Sequence, residues 1–141
     1  MASLTITAAQ VVLNSGESIR GTAGATITAG ASVYLDTTTN TWKLAQADGT
    51  AAEAGQDGLG IALHGASSGQ PLAIAGPGCD VTLGAGAAPA ASAVYIVGAT
   101  AGDIAAAADV STQNHYRSVL CVGKGSNKVR VIARAAEAAI P

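Results

Sequence analysis

The chain has 141 residues, 49% of them hydrophobic but only 3% aromatic and 11% charged, with a formal net charge of −2. That length suits one domain, and seven basic residues spread along an acidic chain leave no electrostatic footprint for nucleic acid. No run approaches the roughly 18 uninterrupted apolar residues of a spanning helix, no basic amphipathic segment suits a membrane surface, and Met1 to Thr7 has neither the charged nor the continuously apolar region of a signal peptide.

Short runs rich in Val, Ile, Leu and Thr, separated by Gly, Asn, Asp, Ser and Thr clusters, predict strands, and helical periodicity is nearly absent. In chain order the strands are expected at Leu4 to Thr7, Val11 to Asn14, Ser32 to Asp36, Trp42 to Gln46 and Gly58 to Leu63. Further strands are expected at Leu72 to Ala75, Asp80 to Leu83, Ala93 to Val97, Val119 to Val122 and Lys128 to Ala133. The polar stretch between Tyr34 and Lys43 reads as a hairpin turn. Thr100 to Ser111 is Ala-rich and helix-compatible by propensity, but Gly102 and the Asp103-Ile104 step favour strand or loop. Residues 1–20 read as an N-terminal arm or first strands, and residues 21–141 as a single β domain.

The chain contains no Phe, one Trp and three Tyr, so Ala supplies much of the hydrophobicity. Ala buries little area, and at roughly 25 cal/mol per Å² the core is thin; self-association or attachment to a surface is a common source of added stability. An internal echo organises the rest. "VYLDTTTNTWKLAQADGT" (33–50) reads against "VYIVGATAGDIAAAADVST" (94–112), and "GIALHGASSGQPLAIA" (60–75) against "SVLCVGKGSNKVRVIA" (118–133). Gly65 meets Gly123, Ser68 meets Ser126, Ile74 meets Ile132 and Ala75 meets Ala133, so the pseudo-repeat spans 33–75 and 94–133. The fold expected is all-β, a small β-barrel or β-sandwich built from two related strand-turn-strand repeats.

The chemical candidates reduce to turns. Gly65-Ala66-Ser67-Ser68-Gly69 matches the nucleophile elbow pattern, but an elbow leads into a helix, and here Pro71 and an apolar run suited to a strand follow. The echo puts Gly125 where Ser67 stands. His64 and His115, with Asp80, Asp103 or Asp109, complete a triad on paper only, because a triad is a matter of geometry. "VGKGSNK" (122–128) lacks the Gly-Lys-Ser/Thr order and the helix of a phosphate loop. Asp48, Glu53 and Asp57 lack calcium-loop spacing, and Cys79 and Cys121 lack the paired spacing of a zinc site. Buried reduced thiols are the expected state, since nothing indicates an oxidising compartment. No catalytic, cofactor or metal residue is assigned, and the chain is not expected to be an enzyme.

"GTAGATITAGASVYLDTTTNTWKLAQADG" followed by "GLGIALHGASSGQPLAIAGPG" resembles the capsid decoration, or cement, proteins of tailed bacteriophages. The shared features are an I-x-A-G-x-x-V-Y-L entry, a K-L-A return and a G-I-A-L…A-S-x-G-Q-P hairpin, in that order, from about Gly21 to Gly78. The weaker echo covers Val94 to Ala133. The resemblance implies a β module, commonly trimeric, attached to the outer surface of the expanded head after synthesis in the host cytoplasm, with the major capsid protein as partner and no cofactor. Leu4, Ile6 and Val11 are expected either as an arm adding to a capsid or subunit strand or as an ordinary first strand. Arg20 and Trp42 join them as expected contact residues, although Trp42 also suits a core place beside Tyr34. The competing reading is a head- or tail-fibre adsorption component that binds the host surface.

Overall fold

The structure, a computed structural model, describes residues 4, 6, 8–48, 50, 52–84, 89–106, 115–125 and 127–134. After a 3-10 turn at Ala8–Gln10 come β1 (Val12–Ser15), β2 (Ser18–Thr22), β3 (Ser32–Asp36), β4 (Thr41–Leu44), β5 (Leu59–Ala62) and β6 (Pro71–Ala75). Then follow β7 (Asp80–Thr82), β8 (Val94–Val97), β9 (Ile104–Ala106), β10 (Val119–Gly125) and β11 (Lys128–Arg134). They form two antiparallel sheets, β1-β7-β11-β10-β8-β9 and β2-β6-β5-β3-β4, in a sandwich-like arrangement. The barrel alternative does not hold: neither sheet closes on itself. The nearest approach is at Ala23, just past β2, which bridges Trp42 of β4 while Gly24 N–H donates to Trp42 O at 2.7 Å.

The two sheets repeat one plan. Dropping β1, the order β2-β6-β5-β3-β4 matches β7-β11-β10-β8-β9 strand for strand. The turn before the Val-Tyr strand is also repeated: Ala31 N–H donates to Thr28 O and Ala93 N–H to Ala90 O, both at 3.2 Å. Leu63 N–H donates to Ala73 O, and the positions that echo them, Cys121 and Val131, are paired in β10 and β11. Beyond Cys121 the second copy shifts register opposite Ala133, whose φ is 55°.

Side-chain alternation along the strands explains the layers. Tyr34, Leu59, Ile61 and Ala75 point from the second sheet toward Cys79, Val81, Tyr95, Val97, Leu120, Cys121, Val129 and Val131 of the first, one shared core. Their neighbours Val33, Trp42, Ala62, Leu72 and Ile74 point the other way, into a second cluster closed over by Ala23, Ile27, Ala31 and Ala66. Ile74 is fully buried there, and burying an Ile side chain contributes about 1.5–3 kcal/mol. The strands β5 and β6 therefore carry cores on both faces. Backbone bonds join the sheets at one end, from Ala47 N–H to Gly98 O at 2.8 Å and from Ser32 N–H to Gly102 O at 3.0 Å.

Local chemistry accounts for the turns. The hairpin between β3 and β4 is organised by Asp36, whose Oδ1 accepts the Thr38 N–H at 3.0 Å, with Asn40 in the left-handed region at φ 55°. Strand β2 was not expected as a separate strand; in the Ala-rich stretch residues 100–103 form a turn and β9 makes Ile104–Ala106 strand, while residues 107–114 lie outside the described residues. Leu4 and Ile6 lie in no strand, while Thr5 and Thr7 lie outside the described residues. Among the described residues no helix is long and apolar enough to cross a membrane.

Candidate interaction surface

The elbow geometry is absent at Ser67. Gln70 N–H donates to Ser67 O at 3.0 Å, the Gln70 Oε1 accepts the Ser67 N–H at 2.8 Å, and Gly69 takes φ 88°, a tight turn that leads into β6. His64 is part of the same hairpin. Its Nε2 accepts the Ala73 N–H at 3.0 Å, which fixes the ring proton on Nδ1, where Gly65 O accepts it at 2.9 Å. That nitrogen lone pair is thus committed to holding β6, and none remains to take a proton from Ser67.

The other polar candidates are also tied locally. The Glu53 carboxylate accepts from Gln46 Nε2 at 2.9 Å, and Asp48 lies 3.3 Å from His115 Nε2. His115 Nδ1 is buried with no partner among the described residues. Cys79 and Cys121 are both free and buried; the Cys79 thiol donates to Glu17 O at 3.3 Å, and burial pushes the Cys121 thiol up to about 12. Among the described residues no group of three His, Cys, Asp or Glu could hold a metal ion. "VGKGSNK" is the β10–β11 turn, with Gly125 and Asn127 at positive φ and a strand after it; Ser126 lies outside the described residues.

The five expected contact residues are not brought together. Leu4, Ile6 and Val11 are half-buried against the shared core, and Leu4 N–H donates to Ile104 O of the β9 edge at 2.8 Å. Trp42 is 6% exposed inside the second cluster. Its indole lies across β2, where a Cβ at Gly21 would come within 2.5 Å of Cδ1 and Nε1. Arg20, on β2, is the one of the five that is exposed. In the isolated chain Leu4, Ile6 and Val11 thus lie against the protein itself, because their side chains find the shared core.

A different surface gathers charge and apolar area: the outer face of the first sheet. Here Asp80 on β7 accepts from Arg130 Nε at 2.8 Å and Nη2 at 3.2 Å on β11, and from Lys124 Nζ at 2.7 Å on β10. These hydrogen bonds, Arg130's first and Lys124's second, hold the Asp80 carboxyl far below the usual carboxylate range. Lys128 lies on the same face of β11, and beside these charges sit Val94, Val122 and Ile132, with Val94 42% and Ile132 40% exposed. A shallow depression of about 430 Å³ opens between Ala91, Ser92, Val122, Lys124, Arg130 and Ile132. The sequence held a partial signal, since Lys124, Lys128, Arg130 and Arg134 put four of the seven basic residues on one hairpin. Asp80, the partner of Lys124 and Arg130, is 50 positions from Arg130 in the chain, so the cluster itself was not legible.

The fold and this face define an all-β, two-sheet protein with an exposed apolar and cationic patch. No protein-family model matches the chain, and no curated protein matches it either.

Proposed function

We propose that this chain is a structural virion protein of a tailed bacteriophage. It binds the outside of the expanded capsid and cements neighbouring major capsid protein subunits against internal DNA pressure, as a homo-oligomer with a trimer favoured. The observation that carries the proposal is how the resemblance maps onto the sheets. The stretch resembling decoration proteins, Gly21 to Gly78, begins within β2 and takes in β3, β4, β5 and β6 of one sheet, with the loops that complete its own apolar cluster. The echo from Val94 to Ala133 corresponds to β8 to β11 of the other sheet. Such a doubled β unit suits a protein whose work is to present contact area. Binding only the assembled lattice stabilises it by mass action, and an oligomer multiplies weak contacts by avidity. The proposal gives the chain no catalytic role and no cofactor.

The fibre reading is less well supported, because Tyr34, Trp42 and Tyr95 are buried and Tyr116 alone of the four aromatic residues is partly exposed, which is too little for a sugar-stacking platform. Mixing the purified chain with expanded and unexpanded heads, followed by sedimentation and imaging of the particles, tests the proposal. Regular added density on expanded heads alone is the expected result; a chain that stays in the supernatant with both would overturn it.

A further inference from the structure

The repeat within the chain provides its own control for the exposed face. Val33 and Val94 occupy the same place in the two copies, each directly before the Tyr of its strand, and Ile74 and Ile132 occupy another. Val33 and Ile74 are 0% exposed, whereas Val94 and Ile132 are 42% and 40% exposed. The first copy buries its pair because the Ala23–Ala31 stretch crosses the sheet and sets Ile27 into the cluster, bridged to Ala66. In the second copy the apolar pair is kept but stays exposed, with no covering stretch over it among the described residues, and Arg130 stands where the first copy has the buried Leu72.

Charge indicates what completes the cover. Among the described residues Lys124, Lys128 and Arg130 flank the apolar centre with one carboxylate, Asp80, already engaged by two of them, on a chain whose net charge is −2. Pairing this face with its own copy about a two-fold axis would set cations against cations, which is unfavourable at an interface. An apolar centre flanked by acids fits better, and an apolar anchor in a pocket is the form of an interface hot spot.

We infer that the outer face of the first sheet, centred on Val94, Val122 and Ile132 and flanked by Lys124, Lys128 and Arg130, seats a segment of the shell protein. That segment carries an apolar side chain between carboxylates. This rests on the shell-binding reading above.

The test measures binding of the full chain to expanded heads for wild type, Ile132→Asp, Lys128→Glu and, on the β3–β4 turn, Thr37→Glu, after circular dichroism verifies that each is folded. Both substituted face residues are exposed, so the fold is expected to persist. Wild type is expected to bind and to weaken with added salt; Ile132→Asp and Lys128→Glu should each weaken binding about tenfold, and Thr37→Glu less than about twofold. Wild-type binding that both face variants retain within about twofold would overturn the face while leaving the shell reading in place. Failure of wild type to bind would overturn both. Retention of duplex DNA at physiological salt, lost in Lys128→Glu, would overturn the face as a protein-docking surface in favour of nucleic acid.

Discussion

Asp80 makes the largest electrostatic commitment among the described side chains. Its pKa is lowered in the folded state, so its contribution is fully present above the ordinary carboxylate value, near pH 4, and is lost as acidification carries the group toward its folded-state value. Because Lys124 and Arg130 are 38% and 52% exposed, solvent screens the pairing. Asp80→Asn should therefore cost only about 1 kcal/mol at neutral pH. Denaturant titrations of both proteins across pH check this: the gap should narrow below about pH 4, and a gap that widened there would contradict the assignment. At this scale the sequence was readable where a residue's role is local. His64 stands at a strand end beside Gly65, which reads as a turn-flanking place and is one, but its grip on Ala73 depends on the hairpin register and could not be read from spacing.

Among the elements, strands rich in β-prone residues, such as Ser32–Asp36 with Val33 and Tyr34 and Lys128–Arg134 with Val129, Val131 and Ile132, were legible within a residue or so. The strand Ser18–Thr22 was not, because Ser-Ile-Arg-Gly-Thr offers one apolar residue and forms through its full register with β6, from Ser18↔Ala75 to Thr22↔Pro71. Tertiary pairing overrides weak propensity there. The repeated turn also separates two kinds of position. Gly30 has φ 85° and a Cβ there would run into Ile6, whereas its counterpart Ser92 already carries a side chain at φ 66°. Gly30→Ala should cost about 1–2 kcal/mol through strain and displacement of Ile6, while Ser92→Gly should change stability by less than about 1 kcal/mol. Chemical unfolding of the two variants is the measurement, and equal costs would mean that the N-terminal segment is not seated on this turn.

For the whole molecule, the sequence echo pointed to two related halves, but not to the face that each half turns to the other. That depends on which parity of each strand faces the shared core, and Tyr34 and Tyr95 do so in both copies. With one core between the sheets and backbone bonds from Ala47 to Gly98 and from Ser32 to Gly102, the halves should unfold together. Trp42 fluorescence reports the second cluster and far-UV circular dichroism reports all strands. Their guanidinium transitions should coincide; a Trp42 transition separated from the dichroism would show that the halves are energetically independent.

The sheet margins have one more consequence. Ala23 and Gly24 lie against β4, Leu4 meets β9, and β1 shifts register between Leu13 and Ser15. Exposed strand borders are the usual templates for runaway stacking, and interruptions of this kind blunt them. Copies crowded side by side should accordingly not zip edge to edge into fibres, so the protein can be packed densely without open-ended growth.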